Sequence, residues 1–497
     1  MRRAAAVAVL LVAFIVALPH AAVAQGPVPP VVTTTLVSRS ALTPLGWYAL
    51  GSIGCAAASP IVGTIVLGRE MTASEVGRST LTCALGPAGW LLAARLFPQA
   101  VVVPARQPGA ANELRLRRRG FHIPPAGDLR FVANEILLDI GPGVSAQALD
   151  AFARRHQLTL LETQSFALTG RSLQRWRIDS GRSVPNVLRR IARNAGIAIA
   201  AAQPNLLFQL AQGQPGATAR DAGPAQYVVG KLRLLEIHRI TSGDNVLVAI
   251  IDSAIDTMHP DLAGVVALQF DAIGTMAKPH AHGTGMAGAI GSHVRLVGVA
   301  PKVRILAVRA FDENSTGAQS TTFNVLKGLD WAAAQGARIV NMSFAGPPDP
   351  MFRDMLAKAH ARNIVLIAAV GNAGPRSPPL YPGADPHVIG VTATDAEDRL
   401  LVQANRGPQV AVAAPGVDIL LPAPDAGYQV TSGTSVAAAH VSGVAALLLA
   451  RRPDLKPDAV RSILMTTAIP IGGQRRSNDF GAGMIDALKA VNSLKAN

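Results

Sequence analysis

Cysteine is nearly absent: the chain of 497 residues has two, Cys55 and Cys83. That excludes a disulfide scaffold and a cysteine-rich zinc fold. Aromatic residues make up only 4%, too few for a base-stacking platform. No nucleic-acid motif is found, and no nucleic-acid partner is expected. Charge is also sparse, at 15% against 49% hydrophobic residues, which excludes a largely disordered chain. Acidic residues are outnumbered: 46 Lys and Arg against 31 Asp and Glu give a net charge of +15. Such a balance speaks to association, not to fold. The length allows about three domains at ~150 residues each.

Residues 1–24 read as an export signal. Arg2 and Arg3 precede the apolar stretch Ala4 to Leu18, and Ala22-Val23-Ala24 forms a small-x-small cleavage site. The competing reading is a retained anchor; the short apolar run favours cleavage. The mature chain is then expected outside the cytoplasm, periplasmic or secreted. Residues 25–127 hold an apolar region and a basic, Pro-rich linker. Ser40 to Gly68 and Ser79 to Ala94 carry no charge. The first is long enough to cross a bilayer, and the second is marginal against the ~20 residues a helix needs. One crossing would strand an exported domain on the wrong side, so the options are none or two, and residues 40–96 are a candidate for membrane contact. Cys55 and Cys83 lie one in each stretch and are either bridged or two buried small residues.

Residues 128–210 alternate in type. Phe131–Ile140, Leu158–Leu161 and Leu173–Ile178 read as strands, and Ser145–His156 and Val184–Asn194 as amphipathic helices. Ile197–Leu210 reads as extended, interrupted at Pro204. The order β-α-β-β-α-β predicts a small ferredoxin-like α+β unit. Residues 211–226, rich in Gly, Ala and Pro, read as an exposed linker open to cleavage.

Residues 227–497 change pattern. Val246–Ile251, Val303–Phe311, Arg338–Phe344, Ile364–Val370, Val388–Thr394 and Val410–Ala414 are short and almost wholly apolar, as strands covered on both faces are. Thr321–Gln335 and Met351–Asn363 read as helices between them. This predicts a doubly wound α/β domain with a mostly parallel sheet, whose sites lie at the carboxyl ends of strands.

Four residues fall at such places. Asp252 ends the first strand. His282 opens His282-Gly283-Thr284 at a helix start. Asn372 follows a strand in Gly371-Asn372-Ala373-Gly374. Ser435 ends Ser432-Gly433-Thr434-Ser435, just before the apolar helix Val436–Ala450. Taken singly, each has a plain structural use as a turn, loop or cap residue. Together they supply what acyl transfer needs. A serine hydroxyl is a weak nucleophile and needs an adjacent base. An imidazole can take its proton, and a carboxylate fixes that imidazole. A side-chain amide can donate to the developing oxyanion. The chain order Asp, His, Ser separates this set from other triad arrangements.

Beside the motifs above stand Val248-Ala249-Ile250-Ile251-Asp252-Ser253, His259-Pro260-Asp261-Leu262, Asn341-Met342-Ser343-Phe344 and Ala414-Pro415-Gly416. On them the chain resembles the subtilisin family of serine proteases from about Tyr227 onward. The resemblance implies Ser435 as nucleophile, His282 as general base and then acid, Asp252 as its orienting carboxylate, and Asn372 with the Ser435 N–H as oxyanion hole. It implies that Ser343, Phe344, Ala345 and Gly346 pair with an extended peptide substrate. Ala369 and Gly371, within Ala368–Gly371, would line the other side of the first specificity pocket. Residues 128–210 resemble the inhibitory propeptide of such enzymes, so the chain's own propeptide is expected as an intramolecular inhibitor, with self-processing around Leu207–Gln226.

Ala254 stands where the family usually has Gly. Val436, Ala438 and Ala439 fill the stretch where it usually has Met and Pro, and Met286 replaces a common β-branched residue. None removes a reacting group. Catalysis needs no cofactor in this scheme. Relatives bind structural calcium, but no Asp-rich loop assigns a metal here. His280 is expected beside the site, and His440 as a buried packing residue. The expected function is an exported serine endopeptidase made as a zymogen. The alternatives are a transpeptidase on the same fold and a non-catalytic, membrane-tethered peptide-binding relative.

Overall fold

A computed structural model describes residues 120–211, 226–275, 278–314, 317–473 and 476–494. The expected export signal, the uncharged stretches, both cysteines and most of the 211–226 linker lie outside these residues.

The small unit builds from β1 (Phe131–Ile140), β2 (Leu158–Phe166), β3 (Arg171–Ile178) and β4 (Ile199–Leu210), with helices Ala146–His156 and Val184–Arg193. Its strands lie antiparallel in the order β2-β3-β1-β4. Val184, Val187, Leu188 and Ile191 are the buried face of the second helix, the spacing of one helical stripe. Pro204 does not interrupt β4. It sits opposite Ile136, where the β1–β4 register shifts between Phe131 and Ile136. A register irregularity is where a strand tolerates a residue without an N–H.

The large unit contains β5 (Leu247–Asp252), β6 (Val266–Asp271), β7 (Arg304–Arg309), β8 (Asp312–Asn314), β9 (Gly317–Thr321), β10 (Ile339–Met342), β11 (Phe344–Ala345), β12 (Val365–Ala369), β13 (Val388–Thr394), β14 (Val410–Pro415), β15 (Ile419–Ala423) and β16 (Gly427–Thr431). Seven of them form a parallel sheet in the order β14-β13-β12-β10-β5-β7-β6. The expected strand Arg338–Phe344 divides into β10 and β11. Ser343 falls at that break, where the chain leaves one sheet for the other.

Helix Thr434–Arg451 packs on the parallel sheet and is buried from Thr434 to Leu449. Its run of alanines and Gly443 lets it lie close; a Cβ at Gly443 would come 2.5 Å from Val299. The helix is long and apolar enough to cross a membrane by length and composition, but here it is buried in the core of the fold.

β4 joins the two units. Its first half pairs with β1. Its last residues then pair antiparallel with β9 on one side, through Leu207–Thr321, Phe208–Ser320 and Gln209–Gln319. On the other side they pair with β11, through Leu210–Phe344 and Gln209–Ala345.

Candidate active site

Asp252 is the last residue of β5 and is fully buried. Its Oδ1 accepts from His282 Nδ1 at 2.7 Å, from the Ser253 N–H at 2.7 Å and from the Ser253 hydroxyl at 3.1 Å. An ionised carboxylate only accepts, so the imidazole proton sits on Nδ1 and Nε2 is left as the basic nitrogen. His282 Nε2 is buried without a hydrogen-bond partner among the described residues. No hydrogen bond therefore joins it to Ser435 in this state, as is common before the transition state tightens such contacts.

His282 is the second residue of helix Ala281–Gly291, whose N-cap is His280. His280 Nδ1 accepts from the His282 N–H at 3.2 Å. His280 is half-buried and belongs to the hydrogen-bonded surround of the site. Gly283 allows the helix to rest on the Asp252–Ser253 turn: a Cβ there would lie 2.4 Å from the Ser253 carbonyl. The Gly283 N–H also donates to Ser253 Oγ at 3.0 Å. Ser253 thus ties the end of β5 to the start of the histidine helix.

Ser435 lies inside helix Thr434–Arg451, as its second residue, with Gly433 at the N-cap. The sequence expectation that the helix starts after Ser435 is corrected by that turn, and Ser435 is not the cap. Its N–H belongs to the first turn, which has no intrahelical acceptor and sits at the positive end of the helix dipole. The Ser435 and His282 helices pack against each other. Ser343 Oγ donates to the Ser435 carbonyl at 2.9 Å, and Asn341 Nδ2 donates to Ser343 Oγ at 2.9 Å.

Asn372 follows β12. Its Oδ1 accepts from the Thr434 hydroxyl at 2.8 Å and from the Thr434 N–H at 3.2 Å. Those donors orient the amide, so Nδ2 points outward, where it donates to the Ala211 carbonyl at 2.6 Å. The Ala211 N–H donates to the Ser343 carbonyl at 3.0 Å. A peptide of the chain itself therefore lies across the mouth of the Ser435 helix.

Of the other expected residues, Phe344 and Ala345 form β11 against β4. Gly346 pairs instead with Tyr381, by 2.7 Å and 3.0 Å main-chain bonds, and offers its bare Cα to Phe208. Ala369 ends β12 and shares an apolar cluster with Ala211. The Gly371 N–H donates to Thr434 Oγ1 at 3.3 Å. His440 is buried, bonds the Pro415 carbonyl at 2.8 Å and is held neutral by burial. Among the described residues, no group of three or more His, Cys, Asp or Glu is placed to hold a metal.

Residues 243–483 match the subtilase family model. The chain is 34% identical over 261 residues to a subtilisin of Bacillus pumilus, covering 50% of this chain and 92% of that one. It is 33% identical to thermitase of Thermoactinomyces vulgaris, covering 54% of this chain and 95% of that one.

The chain belongs to the subtilase family.

Its catalytic unit is that of a serine-type endopeptidase. Against subtilisin E of Bacillus subtilis (strain 168) the identity is 34%, covering 50% of this chain and 66% of that protein. The fold is shared with fervidolysin of Fervidobacterium pennivorans, described as a keratinolytic enzyme related to subtilisin. That likeness has a TM-score of 0.64 at 24% identity, covering 76% of this chain and 64% of that one.

Sequence reading did not find Thr434, Ser253, Ala211 or Phe208 as members of this subtilase site. Thr434 and Ser253 stand inside the quoted motifs, and their hydroxyls were the available signal. Ala211 falls within the stretch around Leu207–Gln226 expected to hold the processing site, but nothing singled it out there, because its partner Asn372 lies 161 residues away in the chain.

Proposed function

We propose that the chain is an exported serine endopeptidase made as a zymogen. Residues 227–497 are its catalytic domain, 128–210 its inhibitory domain, and 211–226 the linker that is cut. Residues 1–24 direct export, and residues 25–127, through 40–96, are the candidate membrane contact. The observation that carries the catalytic reading is one convergence. A buried Asp252–His282 pair and an aimed Asn372 amide meet at the N-terminus of the Ser435 helix, where a peptide carbonyl already accepts from Asn372.

The chemistry follows from the groups. Ser435 Oγ attacks the carbonyl carbon as His282 Nε2 takes its proton. Asp252 holds Nδ1–H and favours the imidazolium by charge. The new oxyanion is met by Asn372 Nδ2 and by the Ser435 N–H, donors already in place before charge develops. His282 then gives its proton to the leaving amine, and water repeats the steps on the ester. Antiparallel pairing with β11 and β9 selects an extended backbone, so unfolded chains are the fitting substrate class.

The small domain suits an inhibitor by how it is held. Asp349, wholly buried, accepts from Gln203 Nε2 at 2.8 Å and from Thr322 Oγ1 at 2.6 Å. Asn205 Oδ1 caps the Phe323 N–H at 3.2 Å. Asp330 takes the Ala167 and Leu168 N–H groups at 3.1 and 2.7 Å. Such groups, once separated, must each regain water, which makes the union specific as well as tight.

The test is hydrolysis of a reduced, unfolded protein by purified wild type beside Ser435→Ala, with and without an added amine nucleophile. Hydrolysis lost in the variant supports the endopeptidase. Aminolysis products outweighing hydrolysis would move the reading to a transpeptidase. No turnover in wild type would leave a peptide-binding relative.

A further inference from the structure

Two residues before the general base stands a second histidine. We propose that His280 is a positioning residue for the reaction: its Nδ1 lone pair holds the backbone of His282 and steers the Ser253 hydroxyl, so that protonating His280 disarms the site. The inference rests on the endopeptidase reading above and adds to it a residue and a pH dependence.

The hydrogen bonds fix which form of the ring the site uses. A backbone N–H only donates, and that of His282 donates to His280 Nδ1 at 3.2 Å. Nδ1 is therefore the unprotonated nitrogen, and the neutral ring carries its proton on Nε2. His280 is the N-cap of helix Ala281–Gly291, with extended backbone and a side-chain acceptor for a first-turn N–H. Its main chain is held as well. Its N–H donates to the Ala254 carbonyl at 2.8 Å, and its carbonyl accepts from the Thr284 N–H at 3.2 Å and hydroxyl at 2.9 Å. The residue is thus tied both to the turn after β5 and to the start of the histidine helix.

Ser253 couples His280 to the Asp252–His282 pair. Its Oγ accepts from the Gly283 N–H at 3.0 Å. Its one hydroxyl hydrogen faces two acceptors, Asp252 Oδ1 at 3.1 Å and His280 Nδ1 at 3.0 Å. A proton taken from solvent by His280 lands on Nδ1 and reverses that side. Nδ1–H then donates to Ser253 Oγ, and the hydroxyl hydrogen goes wholly to Asp252. Asp252, better satisfied, favours the His282 imidazolium less, and a second positive charge nearby disfavours it further. The His282 N–H meanwhile loses its acceptor and meets another N–H.

Capping alone is served best by Ser, Thr, Asp or Asn. What a histidine adds is a charge that titrates between pH 5 and 8. The groups that face this ring are Asp252, one hydroxyl away at the end of β5, and His282 on its own helix. Asp256, on the loop after β5, is engaged with the Met258 and Asp425 N–H groups, and Lys278, in the segment leading to His280, is exposed. Protonating His282 removes the base, and protonating His280 weakens and displaces it. Two such neighbours titrate as a pair, and activity on the acid side answers to both protons.

The experiment is the pH profile of kcat/KM on a short peptide substrate, from pH 5 to 9, in wild type, His280→Asn and His280→Ala, each checked by circular dichroism to be folded throughout. The wild-type acid limb should steepen at its lower end to a slope of about 2 in log kcat/KM per pH unit, one proton for each ring. His280→Asn accepts the same N–H but does not titrate, and should bring the slope to about 1. At pH 8, His280→Ala should lose about 5- to 10-fold in kcat with little change in KM, the size of one lost cap, and His280→Asn should restore most of it. A wild-type slope of about 1, or a slope of about 2 kept in His280→Asn, overturns the proposal and leaves the endopeptidase standing. A loss in His280→Ala that asparagine does not restore overturns the capping role. No turnover in wild type takes the endopeptidase reading down with it. If His280→Asn does not fold, ring 15N spectra of Ser435→Ala protein decide. Nδ1 of His280 unprotonated at pH 8 and gaining a proton by pH 5 supports the proposal, and any other behaviour overturns it.

Discussion

The Thr434 side chain holds the Asn372 amide: its hydroxyl donates to Asn372 Oδ1 at 2.8 Å, one residue before the serine at the helix mouth. The amide is thereby turned so that its N–H group faces the peptide carbonyl in the cleft. This fixes the donor before any charge forms, which is the arrangement that makes an oxyanion hole effective. In the proposed mechanism Thr434 acts through Asn372, as a positioning residue.

Asn372→Ala should lower kcat by ~10²–10³ with little change in KM; that magnitude is carried over from subtilisin, where the equivalent donor was removed. Steady-state kinetics on one peptide substrate checks it. A change in KM alone would show that Asn372 binds the ground state and not the oxyanion.

Thr434→Val removes the hydroxyl and keeps the shape. A loss of about 10-fold in kcat is expected, the size of one to two hydrogen bonds. The informative readout is the pair: in an Asn372→Ala background, Thr434→Val should cost almost nothing further, because both act through one group. Additive losses would mean that Thr434 acts by another route.

His440 sits in the core helix and burial pushes its pKa down from 6.5 to about 4. The neutral ring is therefore favoured by the fold. Its contribution to stability is whole above pH 6.5 and is lost as pH falls towards 4 and below, on the order of 3 kcal/mol in all. Urea unfolding of Ser435→Ala protein across that range should show the decline. His440→Gln should flatten this limb; an unchanged slope would assign it to other groups.

Asp261 gives a second acid limb, lower in pH. Burial works to raise its pKa, but the Tyr428 hydroxyl at 2.7 Å and the N–H groups of Val294, Arg295 and Leu296 outweigh it, and the carboxyl is held below 3.8. Its stabilisation is present above pH 3.8 and lost as pH falls through the lower folded value. Tyr428→Phe should cost about 1.5–3 kcal/mol at neutral pH, as loss of a hydrogen bond to a charged group does. It should also flatten the acid limb, so that the gap from wild type narrows as pH falls, as measured by thermal unfolding from pH 3 to 7. Equal stability of variant and wild type would contradict this.

The parallel sheet was legible wherever its strands are covered on both faces. β13 is apolar except for two threonines and a glycine and is wholly buried, and its expected bounds match. β6 was not legible, because Gln269 and Asp271 on this edge strand are exposed and break the apolar run. β9, Gly-Ala-Gln-Ser-Thr, has no strand signature of its own and exists by pairing with β4. The three residues of the proposed triad sit in short local motifs at strand and helix ends, which is why a sequence reading can pick them out. The individual residues that pair with Asn372 and Phe344 could not be singled out. Phe208 lies in the segment read as extended and Ala211 opens the one read as a linker, both within the stretch around Leu207–Gln226 expected to hold the processing site, but their partners Phe344 and Asn372 lie far along the chain.

The central claim is that Ser435 is a nucleophile activated by His282. Its most direct test is stoichiometric labelling with a fluorophosphonate, read by peptide mass. The account predicts one phosphonyl group per chain, on Ser435, with none on Ser435→Ala protein and labelling slowed by orders of magnitude in His282→Ala. A wild-type chain that takes no label, or takes it at another residue, would contradict it.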